Sequence, residues 1–315
     1  MRGESERKSL NRIKSYLFCH KERQFEMMMS EFYYEITDDN LIDNISRYIM
    51  IHRDCYCRMV FEDIKQVFIA LQQAKENPKL SEFPDFIFDN GFIEHFKVTS
   101  SKEGRKGSTK IIEENRFKHS IADEEQQFIE YCQNNPKIGE SRSVSWSRKG
   151  SQHSYQNLQN SFKKQFEHHL NSLTNYKGNS ELKIFIIEYS DYGIEMEEDL
   201  FKNYPDNAKR IPTREPKHFW NYRLSKDKNM LNYLYNFQDK IDYVIYDSID
   251  SCEIIKIDQI PQIIKSIPYD YVIVGRNNII LKKLANLILS VNLNGETNEQ
   301  NWRIDWKIMP WWRWI

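Results

Sequence analysis

The sequence predicts an α/β protein, with a mixed central β-sheet flanked by helices, a helical N-terminal region and a C-terminal extension. Three observations carry this expectation. Asn90-Gly91 stands between two apolar-rich runs, the strongest short signal for a β-hairpin. Apolar residues recur at helical spacing over about 55–75 (Val60, Ile64, Val67, Phe68, Leu71) and about 155–175 (Leu158, Phe162, Phe166, Leu170). The run Leu182-Lys183-Ile184-Phe185-Ile186-Ile187-Glu188-Tyr189 is almost continuously apolar, as a strand covered on both faces requires.

In chain order, residues 1–20 are basic and read as helical or frayed. Residues 24–50 carry apolar positions at helical spacing, from Phe25, Met28 and Phe32 to Leu41, Ile45 and Ile49. The helix at about 55–75 follows, and Pro78 and Pro84 bracket its exit into the hairpin. From Ser100 to Ser154 the chain turns polar, with a long loop from Thr99 to Ser108, a helix at about 120–133 and a polar run from Ser141 to Gly150. After the helix at 155–175 and the strand at 182–189, strands are expected at Tyr243–Tyr246, Glu253–Ile257 and 271–274, and an apolar helix at 278–291. The expected divisions are a helical region at 1–54, an α/β core at 55–260 and an extension at 261–315 packed on the core.

Within the hairpin, a turn at Asn90-Gly91 sets Ile87 opposite Glu94 and Asp85 opposite Phe96. Side chains alternate along a strand, so Asp85, Ile87, Glu94 and Phe96 share one face. Two carboxylates then become diagonal neighbours in strands that otherwise favour apolar residues. A divalent cation would remove their repulsion, and hard oxygen donors suit Mg²⁺ or Mn²⁺.

Pro84-Asp85 at the head of one strand, with Glu94 on the next and a lysine close behind, resembles the PD-(D/E)xK nuclease superfamily, the restriction-endonuclease-like fold. The order helix, hairpin, helix, central strand is also the core layout of that fold. The resemblance covers about 60–250, by order of elements rather than residue matches. It implies a metal-dependent nuclease that hydrolyses phosphodiester bonds of nucleic acid, DNA in preference to RNA, in a setting of restriction or phage defence. Asp85 and Glu94 would then hold the metal, and a lysine would position or activate the attacking water.

The lysine departs from the family pattern. Two positions after Glu94, where the family has lysine, this chain has Phe96, and Lys97 comes one position later. In a regular strand Lys97 points to the other face with His95, and a β-bulge would be needed to bring it back. Lys102, Lys106, Lys163 and Lys164 are alternative sources of the missing cation. Phe96 favours a second reading, a non-catalytic module of the same fold that binds nucleic acid or a protein.

Other residues have ordinary structural roles open to them beside functional ones. Lys97, Lys102, Arg105, Lys106, Lys110, Arg116 and Lys118 share their span with only Glu103, Glu113 and Glu114, so this stretch would hold a nucleic-acid backbone or else form a solvated loop. Lys102, Arg105, Lys106, Lys163 and Lys164 are the candidate backbone contacts. Glu62 is a candidate third acid or a surface residue, and Glu188 a site residue or a solvated strand end. His153, His168 and His169 read as surface residues, with His168 the candidate for a backbone contact; adjacent histidines on a helix point about 100° apart and cannot serve one site together. His52, Cys55 and Cys57, with Cys19 and His20, lack the second pair that zinc spacings require and read as structural.

Bulk composition narrows the class. The formal net charge of −1 gives no general attraction to nucleic acid, so any such binding needs a local patch. Five cysteines do not make a disulfide framework, and no signal peptide or 18-residue apolar run appears, so a reducing cytoplasm and no membrane are expected. No phosphate loop, dinucleotide fingerprint, nucleophile elbow or His-Glu-x-x-His motif occurs. The segment 302–315 holds five of the seven tryptophans and is expected to pack on the domain or into a homodimer, rather than on bases or a membrane.

Overall fold

The computed structural model describes residues 4–19, 45, 61–79, 82–104, 107–135, 141–191, 193–199, 217–248, 251–276 and 280–288. The chain divides into two compact units: Met1–Ser100 with Tyr155–Val274, and Ser101–Ser154 with Gly275–Ile315. The polar stretch after the hairpin is therefore an insertion that pairs with residues 280–288, which sequence order alone does not reveal.

The first unit is built on a six-stranded mixed sheet in the order β1-β2-β3-β7-β10-β11. Its strands are β1 (Lys75–Glu76), β2 (Phe86–Phe88), β3 (Gly91–Val98), β7 (Leu182–Tyr189), β10 (Tyr243–Ser248) and β11 (Cys252–Lys256). β3, β7 and β10 run parallel, while β1, β2 and β11 pair antiparallel at the edges. Parallel neighbours need a crossover, and α5 (Tyr155–Leu173) supplies it between β3 and β7.

Helices cover both faces, which explains the apolar character of β7. On one face α1 (Glu4–Cys19) and α2 (Phe61–Gln73) pack Leu10, Ile13, Leu17, Ile64 and Phe68 against Phe86, Ile93, Ile184, Ile186 and Ile245. On the other, α5, α6 (Lys228–Tyr235) and α7 (Ile260–Ser266) pack Leu158, Phe162, Phe166, Leu231 and Ile263 against Phe92, Phe96, Phe185, Ile187 and Val244. Each such apolar side chain contributes roughly 1.5–3 kcal/mol on burial. A smaller sheet, in the order β12-β8-β9, comprises β8 (Ile194–Asp199), β9 (Lys217–Asn221) and β12 (Val272–Gly275).

The hairpin turn differs from expectation by one position. Phe88 pairs with Gly91, Ile87 with Phe92 and Phe86 with Ile93, so the loop is Asp89-Asn90. The reason lies in β7: a Cβ at Gly91 would overlap the Leu182 carbonyl, so glycine is needed inside the strand for close approach rather than in the turn. The shift preserves parity, and it moves Asp85 from diagonal to directly opposite Glu94.

In the second unit, β4 (Glu103–Gly104) and β5 (Gly107–Ser108) form a short pair, followed by α3 (Thr109–Ser120) and α4 (Ala122–Asn134). The Lys110–Lys118 stretch is thus helical, not loop. β6 (Ser141–Lys149) pairs antiparallel with β13 (Ile280–Ile288) over nine positions. The polar run after Ser141 is a strand, and β13 corrects the helix expected at 278–291. Strand pairing between the two segments supplies order that neither one's apolar periodicity displays.

Candidate functional site: an acid pair between strands

Asp85 enters β2 with its carbonyl held by the Asn77 amide at 2.9 Å, while the neighbouring Pro84 carbonyl accepts Asn77 Nδ2 at 2.8 Å. Its own amide donates to Glu94 Oε2 at 2.9 Å, and its Oδ2 accepts the His95 amide at 2.9 Å. The two carboxylates therefore replace the ladder where the β2–β3 pairing ends. Glu94 is buried, and Asp85 partly so.

Burial, and then the adjacent Glu94 charge, push the Asp85 carboxyl up to about 7, against the stabilising His95 amide. Two acids are thus held together where one of them resists ionising. That is the electrostatic state from which a divalent cation gains most.

The third member is His169, on α5, whose Nδ1 lies 2.5 Å from Glu94 Oε1. Burial lowers its basicity, opposed by the Asp85 charge. A neutral imidazole meets a carboxylate through N–H, so Nδ1 carries the proton and Nε2 keeps a lone pair. The His169 ring stacks on Phe96 at 4.8 Å between centroids and 13° between planes. Phe96, in the position where the nuclease family has lysine, presents His169 to Glu94.

Lys97 is not brought to this site. β3 pairs with β7 residue for residue from Gly91–Leu182 to Val98–Tyr189, without a bulge, so Lys97 points to the opposite face. There its Nζ meets Glu188 Oε1 at 3.2 Å. Glu62 lies on α2, which covers that opposite face, and its exposed side chain approaches Lys65 at 3.8 Å. Lys163 and Lys164 are exposed on α5, with the Lys163 ammonium over the Tyr233 ring at 5.2 Å. Lys102 belongs to the second unit, where its carbonyl accepts Thr109 Oγ1 at 2.6 Å. Arg105 and Lys106 lie outside the described residues, as do His20, His52, Cys55, Cys57 and the tryptophans of 302–315.

Sequence reasoning missed two features. It preferred His168 to His169, although His169 stands one helical turn after Phe166 and next to Leu170 on the apolar side of the helix. It also missed a network on the other sheet face, at the carboxyl ends of β3, β7 and β10, where Lys97, Glu188 and Asp247 stand side by side in register. Glu188 accepts Ser9 Oγ at 2.8 Å and Arg12 Nη2 at 3.3 Å from α1, and His95 Nε2 lies 3.0 Å away. Arg12 also bridges to Asp247. Burial would raise the Glu188 carboxyl, but the His95 hydrogen bond and the Arg12 and Lys97 charges outweigh it and hold it well below the carboxylate range. The signal available was one charge closing each apolar strand.

Among the described residues, no group of three or more His, Cys, Asp or Glu side chains is arranged to hold a metal ion. Asp85 and Glu94 provide two carboxylates. That donor set suits Mg²⁺, which commonly binds through one or two carboxylates and completes its shell with water and substrate phosphate. A cleft of about 390 Å³ at the amino ends of β7 and β10, lined by Gln66, Leu182, Asp242, Tyr243 and Lys256 among others, includes neither acid. No described helix is long and apolar enough to cross a membrane. The chain matches no protein-family model, no curated protein and no solved structure.

Proposed function

We propose that Asp85 and Glu94 together hold Mg²⁺ or Mn²⁺ and that the protein hydrolyses phosphodiester bonds of nucleic acid, DNA in preference to RNA. The observation that carries this is the acid pair itself, with Asp85 pushed up to about 7 by burial and by the Glu94 carboxylate opposite it. A bound ion would stabilise charge on the phosphate and lower the pKa of a coordinated water. His169, its Nδ1–H held by Glu94, offers Nε2 to accept a proton from water, the part that a lysine plays in the family this chain resembles. A role in restriction or phage defence goes with this reading.

One observation favours a second reading, a non-catalytic binding module: Phe96 stands where the lysine would be, and Lys97 is engaged by Glu188. Incubation of supercoiled plasmid with Mg²⁺ or Mn²⁺, against EDTA, separates the two. Metal-dependent cutting that is lost in Asp85→Ala and in Glu94→Ala supports the nuclease. Retained DNA binding with no cutting by the wild-type protein under any of these conditions supports the module.

A further inference from the structure

The β6–β13 ribbon of the second unit has a charge composition unlike that of the whole chain. Its 18 residues include Arg142, Arg148, Lys149, Lys282 and Lys283 and no Asp or Glu, although the chain as a whole carries a net charge of −1. The two strands pair without interruption from Ser141–Ile288 to Lys149–Ile280. One side of β6 is turned toward α4, where Trp146 Nε1 donates to Glu124 Oε2 at 2.7 Å and the Arg142 guanidinium lies over the Tyr131 ring at 5.3 Å. On the other side Ser143, Ser145 and Ser147 are exposed, with exposed Lys149 in phase with them at the strand's end, while Arg148, also exposed, alternates onto the α4 side.

We propose that this ribbon is a docking surface for double-stranded DNA, with β6 facing the major groove. Shape and charge both select that partner. Two strands about 4.8 Å apart, and nine residues at about 3.4 Å each, make a ribbon roughly 30 Å long. The B-form major groove, about 12 Å wide, admits a two-stranded ribbon, and one duplex turn spans about 34 Å. Short serine side chains allow the backbone to come close, and the absence of acids removes like-charge repulsion from phosphates. Duplex RNA is disfavoured, because its major groove is too deep and narrow for such a ribbon. The inference rests on the ribbon alone and does not depend on the metal reading of Asp85 and Glu94.

The test is binding of a fluorescent 20-base-pair DNA duplex to the full chain, in EDTA so that cleavage plays no part. Saturable binding is expected, and the same sequence as duplex RNA should bind at least about tenfold more weakly. Lys149→Gln should weaken DNA binding severalfold and reduce the salt slope of log K by about 1. Ser145→Glu, a single exposed change, should weaken binding comparably. Hydrogen exchange on the wild-type complex needs no substitution and should show new protection within 141–149 and 280–288. The proposal is overturned by absent DNA binding at low salt, by equal affinity for duplex RNA, by folded variants that bind as the wild type does, or by protection confined to other segments.

Discussion

Lys97 and Glu188 face each other across β3 and β7, 3.2 Å apart, on the sheet face opposite Glu94. The lysine nearest in sequence to the candidate metal site is thus committed elsewhere, and His169 stands beside Glu94 instead.

Lys97→Ala should therefore leave metal-dependent cleavage little changed, whereas His169→Ala should reduce it by about a hundredfold or more, the usual scale for losing a positioned proton acceptor. Single-turnover cleavage rates for the two variants decide the matter. The reverse order of effects would return the catalytic role to the lysine.

The sequence made the frame of this fold legible where a periodic signal and a buried face coincide. The strand at 182–189 and the helix at 155–175 were placed almost to the residue, because continuous burial and a wide apolar stripe leave little freedom. The face shared by Asp85 and Glu94 was also legible, since side-chain alternation survives a change in turn position. What escaped were features set by distant partners. Gly91 left the turn for the strand because β7 approaches it closely. β6 alternates Ser141, Ser143, Ser145 and Ser147 with Arg142, Val144, Trp146 and Arg148, a period of two that is readable only when polar residues count as strand formers. His169 acquired its place through a stack on Phe96, which no spacing rule states.

The network on the α1 face makes a stability prediction. Arg12 contacts both Glu188 and Asp247, whose side chains are 3% and 0% exposed, while its own is 32% exposed. Removing one partner of a buried ion pair leaves uncompensated charge. The partial exposure of Arg12 reduces the cost, so Arg12→Ala should destabilise the protein by about 2 kcal/mol. Urea unfolding measures this, and an unchanged midpoint would mean that α1 is held by its apolar contacts alone.

Asp85 sets a pH dependence of definite sign. Its folded-state value of about 7 lies above the ordinary 3.8, so between those values the folded protein binds the extra proton. Its contribution to stability is therefore fully present below about pH 4 and is lost as pH rises through about 7, at up to about 1.4 kcal/mol per pH unit. Asp85→Asn removes this dependence, so metal-free thermal melts from pH 4 to 8 should show the variant gaining on the wild type as pH rises. A constant difference across that range would mean that Asp85 ionises normally.

Calorimetric titration of Mn²⁺, repeated with Mg²⁺, into the metal-free protein at pH 8 tests the acid pair most directly. Wild type is predicted to take up the ion, and Asp85→Asn and Glu94→Gln to lose that uptake while remaining folded. A wild type that binds neither ion, or variants that bind as tightly as the parent, would contradict a metal site between these two strands.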